Sequence, residues 1–185
     1  MAAHGDVMHP QRTRLDLSSV LGAAVLGGKP AVQAPVRLAQ EGAADYATID
    51  AFLAAPDRVW QLWYDLGAML GDVRPNPGHH ALTELQAMGR LEAIITQNID
   101  NLHQESGSVR VIEYHGNGRH MRCVVCESPA PLDLSERSAL APRCACGGVM
   151  KPDVVLFGEA IPRDAMEAAD HAAATADVVL GSRYV

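Results

Sequence analysis

From Ile49 onward the apolar positions alternate between helical spacing and short continuous runs. Ile49 to Ala54 reads as a short helical piece, and Pro56 opens a second helix at an early position where its missing N–H costs nothing. In that second helix Val59, Leu62, Trp63, Leu66, Met69 and Leu70 recur at i, i+3, i+4 and i+7, the spacing of one buried face. Trp60 and Trp63 are read as core packing. Arg74-Pro75-Asn76-Pro77-Gly78 reads as a rigid connector, since each proline fixes its own φ and restrains the residue before it. Ala81 to Met88 is expected to be a helix, stopped by Gly89. Leu91 to Thr96, Val109 to Tyr114 and Val154 to Phe157 are compact runs that predict strands. Pro162 starts a helix reaching to about Thr175, and Asp177 to Leu180 predicts a last strand. Strands that alternate with helices imply an α/β fold, a parallel sheet with helices on its faces.

The four cysteines change this picture. They run Cys123-x2-Cys126, seventeen residues, then Cys144-x-Cys146, with Gly147-Gly148 following. Two close thiol pairs separated by a loop are the ligand set of a tetrahedral structural zinc, and the glycines supply freedom for a knuckle turn. Two disulfides or four free thiols are the alternatives. Disulfides need an oxidising compartment, and nothing in the chain points to export, so zinc is the preferred reading. Four thiolates fill the coordination shell, which makes the metal structural rather than catalytic.

Length and charge narrow the class. A chain of 185 residues, 48% of them apolar, forms one domain or one domain with a small insert. A net charge of −7 argues against a nucleic-acid binder, because phosphate contacts need a basic face. Arg110, Arg119 and Arg122 near the cysteines are read as solvated surface. No leader-like apolar segment is expected, and the run from Val20 to Leu26 is too short to span a bilayer. A soluble, cytoplasmic protein without membrane contact is the expectation.

Polar residues cluster where the predicted strands end, and in parallel sheets that is where ligands bind. Thr96-Gln97-Asn98-Ile99-Asp100 follows the first strand, His115 the second, and Gly158-Glu159 the third. Amides with a carboxylate suit a ribose and a carboxamide. An imidazole that titrates near neutrality suits general-base work on a hydroxyl, and His115 is read as that base. Turn-making and helix capping are the plainer roles for Asn98 and Asp100. His103 is read as an ordinary helix-face residue.

TQNIDNLH at 96–103, HG at 115–116, the paired cysteines, CGG-x-x-KPDVV-x-FGE at 146–159 and RPNPGH at 74–79 together resemble the sirtuin family of NAD-dependent protein deacylases. The resemblance covers roughly Ala47 to Leu180. It implies a Rossmann-like NAD-binding domain over 1–118 and 152–185, incomplete, with a zinc-binding module inserted at 119–151. It also implies His115 as general base, Gln97, Asn98 and Asp100 around the nicotinamide and its ribose, and Cys123, Cys126, Cys144 and Cys146 as zinc ligands. Val154, Val155 and Phe157 match the segment that pairs with an acyl-lysine protein or peptide and lines its tunnel. The implied reaction turns acyl-lysine and NAD into lysine, nicotinamide and O-acyl-ADP-ribose, with Asp100 steadying a cationic ribose and His115 activating a ribose hydroxyl.

Two stretches depart from the family. Its opening glycine-rich phosphate cradle is matched here only by Leu21 to Pro30, where Ala24 stands at a glycine position, and Val36-Arg37 stands where Phe-Arg is expected. Beyond Leu180 the family continues into further strands, whereas Gly181-Ser182-Arg183-Tyr184-Val185 ends this sequence. The expectation is a truncated copy, weak or inactive. The alternative to a deacetylase is a zinc-stabilised remnant that at most binds peptides. Members that prefer acidic acyl groups carry a Tyr-x-x-Arg pair, absent from Leu62 to Gly67, so acetyl or other neutral acyl groups are expected.

Overall fold

The computed structural model describes residues 47–70, 73–135 and 137–182. The departures at Leu21 to Pro30 and at Val36-Arg37 lie outside them. Helix α1 (Ile49–Ala54) is started by Thr48, whose hydroxyl accepts the Ala51 amide at 3.1 Å. Helix α2 (Pro56–Leu70) follows, and its buried face is Val59, Trp60, Trp63 and Tyr64, with Leu62 and Leu66 half-buried. The face is thus turned from the expected aliphatic stripe toward the aromatics. Trp60 and Tyr64 stack at 5.7 Å, and such rings remove more apolar area from water than a leucine. The side chains of Met69 and Leu70 lie outside the described set.

Helix α3 (Pro77–Ala87) begins four residues before its expected start at Ala81. Asn76 is the reason. Its carboxamide oxygen accepts the Gly78 and His79 amides at 2.8 and 3.2 Å, and its own amide donates to His79 Nδ1 at 3.3 Å. With Pro77 at the first helical position, the supposed connector is a capped helix start. Gly89, at φ +66°, ends the helix as expected.

Strands β1 (Ile94–Thr96) and β2 (Val111–Glu113) pair in parallel, with Ile94 opposite Val111 and Thr96 opposite Glu113. Both are shorter than the apolar runs predict. The Leu91 amide is taken by the Leu85 carbonyl and the Val109 amide by the Gln86 side chain, so the end of α3 claims the flanks. Between them Asn101, at φ 67°, leads into the one-turn helix α4 (Leu102–Glu105). Helix α5 (Arg163–Thr175) lies against β2 and starts after Pro162, as expected.

The second sheet is antiparallel in the order β4-β3-β5, from β3 (Gly116–Cys123), β4 (Pro129–Pro131) and β5 (Met150–Val154). The predicted strand Val154 to Phe157 is therefore not part of the parallel sheet. Val154 closes β5, and Phe157 makes only an isolated parallel bridge to Thr48. The chain turns between them because the Glu159 carboxylate accepts the Leu156 amide at 2.7 Å and Gly158 sits at φ +85°. Asp177 to Leu180 forms no strand. No described strand pairs with it, and Val178 and Val179 stand exposed. The core, of Phe52, Val59, Trp60, Trp63, Tyr64, Cys123, Ala141, Met150, Val154 and Leu156, joins α1 and α2 to the antiparallel sheet. Trp60 Nε1 completes the joint by donating to the Met150 carbonyl at 2.9 Å.

Candidate active site and cysteine centre

The four cysteine sulfurs converge at the far end of β3 and β5, all within 4.8 Å of one another. Cys123 and Cys146 Sγ are 3.5 Å apart, and Cys126 and Cys144 Sγ 3.6 Å, so no disulfide joins them. A tetrahedron with Zn–S bonds of about 2.3 Å has sulfur–sulfur edges of about 3.8 Å. The cluster fits a structural zinc. Backbone amides of Val125 and Gly148 point at the sulfurs of Cys123 and Cys146, at 3.4 Å each, as donors to thiolates. A Cβ on Gly148 would meet Cys123 Sγ at 2.6 Å, so the knuckle closes only around glycine. The Ser128 hydroxyl and amide draw the Cys126 thiol down to about 6. Cys146, although the Gly148 amide favours its thiolate, is pushed up to about 12 by the Cys126 and Cys123 sulfurs. A dication at the centre removes that conflict and lets all four ionise.

At the other end of β3 the polar loops meet. Gln97 and Asn98 lie exposed just beyond β1, and Thr96 Oγ1 accepts the Asn98 amide at 3.1 Å. Asp100 is half-buried and accepts the Leu102 amide at 3.0 Å, the turn-making role foreseen as a plainer one. His115 is half-buried in the two-residue link from β2 to β3. Three hydrogen bonds assemble the loops: Tyr114 N to Thr96 O at 2.9 Å, Gly118 N to Ile99 O at 2.8 Å, and Val155 N to His115 O at 2.9 Å. Of the third loop, Val154 is packed in the core, Val155 is half-buried, and Phe157 is 72% exposed.

Sequence reasoning missed two features here. Asn117, 5% exposed, donates its side-chain amide to Asn101 Oδ1 at 2.8 Å and to Glu113 Oε1, and so ties the loop after β1 to the start of β3. Nothing in its spacing announces this. The second is His103, which is buried rather than on an open helix face. It packs against His79 with ring centroids 4.8 Å apart and the planes tilted by 51°, and the two are 4% and 2% exposed. Burial holds both imidazoles below their ordinary value, for His79 aided by His103 and His80, while Asp100 opposes the shift in each. Arg110, Arg119 and Arg122 are half-exposed but paired, with Glu92, Glu105 and Asp153.

A parallel β pair whose loops gather amides, a carboxylate and an imidazole, joined to a four-thiol module, defines a Rossmann-like α/β protein with a structural metal centre. The family model described as Sir2 matches residues 37–183, and the chain belongs to that family. It is 40% identical over 144 residues to a NAD-dependent protein deacetylase of Sulfolobus acidocaldarius, covering 76% of this chain and 57% of that protein. It is 44% identical over 145 residues to a NAD-dependent protein deacylase of Thermococcus kodakarensis, covering 75% and 56%. Among solved structures, a Sir2 homolog–NAD complex superposes with a TM-score of 0.66 at 31% identity, over 84% of this chain and 59% of that one. A Sir2 bound to acetylated peptide gives 0.64 at 35%, over 70% and 56%. The chain spans about half the length of the curated relatives it matches. No helix among the described residues is long and apolar enough to cross a membrane.

Proposed function

We propose that this chain is a NAD-dependent protein lysine deacylase of neutral-acyl preference, working in the cytoplasm on acyl-lysine proteins or peptides. Residues 1–118 and 152–185 form its NAD-binding unit and 119–151 its zinc module. The observation that carries this reading is the 2.9 Å bond from the Val155 amide to the His115 carbonyl. It puts the candidate base and the candidate substrate segment one hydrogen bond apart, at the end of a parallel strand pair where ligands bind.

Bound NAD supplies an activated ribose carbon able to carry the acyl group away. Gln97 and Asn98, both exposed, would serve its carboxamide, and Asp100 would offer a carboxylate to its ribose. His115 takes the proton from a hydroxyl. Val155 and Phe157 supply apolar surface for a neutralised lysine stem. Four cysteines that form no disulfide fit a reducing compartment.

The test is nicotinamide release from NAD with an acetyl-lysine peptide, for the zinc-loaded chain and for His115→Ala. The substitution should lower turnover by about a hundredfold to ten-thousandfold, the usual share of a general base, with zinc content unchanged. Equal turnover by both proteins would remove His115 from the mechanism.

A further inference from the structure

Lys151 and Glu159 form the most enclosed ion pair among the described residues, with side chains 13% and 22% exposed at an Nζ–Oε2 distance of 3.0 Å. The ammonium has three protons, and each has an acceptor. Besides Glu159 they are the carbonyls of Val154 at 2.6 Å and Pro152 at 3.2 Å. The same Glu159 oxygen accepts the Leu156 amide at 2.7 Å, while the Glu159 amide returns a bond to the Leu156 carbonyl at 3.0 Å. One carboxylate oxygen thus holds both ends of the turn between β5 and Phe157.

Such a pair is a poor way to gain stability. Two charges withdrawn from water recover little beyond what an apolar pair of similar volume provides, but they fix geometry strictly. What this pair fixes is the segment 154–157. The segment is held on one side by the Lys151–Glu159 bridge, and on the other by His115 O to Val155 N at 2.9 Å and Ala47 O to Phe157 N at 2.9 Å. Between these restraints Val155 is half-buried and Phe157 exposed.

We infer that Lys151 and Glu159 are positioning residues that shape the 154–157 segment into the edge on which the acyl-lysine peptide docks. The inference rests on the deacylase reading above. Neither side chain touches the peptide. They act through the backbone they hold, so they control peptide affinity and leave NAD affinity alone.

The test compares the zinc-loaded chain with Glu159→Gln, Glu159→Ala and, as a control, Glu167→Gln, whose partner Arg163 is 87% exposed. The readouts are anisotropy of a labelled acetyl-lysine peptide, amide exchange at Val155 and Leu156, NAD titration, zinc content and melting temperature. Glu159→Gln should weaken peptide binding about tenfold, the loss of roughly one charge-assisted hydrogen bond. Glu159→Ala should weaken it further. Exchange at the two amides should quicken, with zinc and NAD binding unchanged. Should the alanine variant not fold, the glutamine variant, which keeps an acceptor for Leu156, decides alone. Peptide binding by Glu159→Gln equal to that of Glu167→Gln would overturn the inference and leave the deacylase reading standing. A parallel fall of peptide, NAD and zinc binding with the melting temperature would also overturn it, as a merely structural pair. No peptide binding by the unmodified chain would sink the deacylase reading itself, and the docking edge with it.

Discussion

Replacing Gly116 with alanine would drive a methyl to 2.1 Å from the Asp153 carbonyl oxygen, at a residue held at φ +78°. The left-handed backbone alone costs an alanine roughly 1–2 kcal/mol. The contact adds more, because a carbon and a carbonyl oxygen rest about 3.3 Å apart, so β3 and β5 must separate by roughly 1 Å. They cannot part there without losing the Gly116–Val154 pairing and the Val155 N to His115 O bond. Groups that are only half-buried cost about 1 kcal/mol each when left unpaired, the low end of the usual range. The sum is about 3–5 kcal/mol, a large fraction of a small domain's whole stability.

Gly89 supplies the control. It has a similar φ of +66°, yet a Cβ there meets nothing within 4 Å. Gly89→Ala should cost about 1 kcal/mol at most, because the entropy lost by the unfolded chain offsets part of the strain. Urea unfolding of the zinc-loaded chain and both variants measures the difference. A Gly116→Ala chain too unstable to isolate meets the expectation. A midpoint within about 0.5 kcal/mol of the Gly89→Ala variant would show that the strands part freely and that the His115 loop is not rigidly held.

Three further outcomes are expected. Cys144→Ser should lose zinc and destabilise the segment from Cys123 to Gly148, because in such modules the metal's binding free energy is folding free energy; metal analysis finding no zinc in wild-type protein purified without chelator would dismiss the site. Stability should fall as pH drops below about 6.5: the buried His79 and His103 are held below their ordinary value, so the unfolded chain takes up protons that the native state refuses, and the stability present above that pH is lost through this window. His103→Asn should flatten the slope in chemical denaturation from about pH 8 to about pH 5.5, where carboxylates stay ionised, and an unchanged slope would assign it elsewhere. Acetyl-lysine peptides should be cleaved in preference to succinyl-lysine peptides, and the reverse order by mass spectrometry would refute the neutral-acyl reading.

What the sequence disclosed and what it hid follow one physical division. Thiol spacing is local chemistry, and the four sulfurs meet as Cys123-x2-Cys126 and Cys144-x-Cys146 require. The strand-end residues were legible because a parallel pair puts both carboxyl ends on one side, so the loops after Thr96 and Glu113 had to meet. Tertiary choices were not legible. Val154 to Phe157 is an apolar run whichever sheet it joins, and its turn depends on Glu159 reaching back to Leu156 and Lys151. Asp177 to Leu180 has strand propensity, but propensity without a partner makes no strand. His103 is buried only because His79 is brought against it by a different helix. The early start of α3 is a different case, for the Asn76-Pro77 cap signal is local to the sequence.

The cysteine centre and the candidate chemistry are mechanically one device, although they sit at opposite ends of a sheet. Strand β3 leaves His115 at Gly116 and ends at Cys123, while β5 starts four residues after Cys146 and ends at Val154. The two strands pair at both ends, Cys123 opposite Met150 and Gly116 opposite Val154, with a register shift between Gly116 and Met121. A slip of one residue between Met121–Cys123 and Met150–Pro152 would turn the side chains of that ladder to the other face. The sulfur cluster fixes the pairing at the Cys123–Met150 end, about 13 Å from Val154 if the four steps of β5 rise as a strand does. A metal held by four thiolates would touch no substrate, yet it would hold the end of the β3–β5 ladder opposite the candidate base. On this account loss of zinc weakens peptide binding before it unfolds α3 or the β1–β2 pair, because the ladder between β3 and β5 is what the metal holds closed.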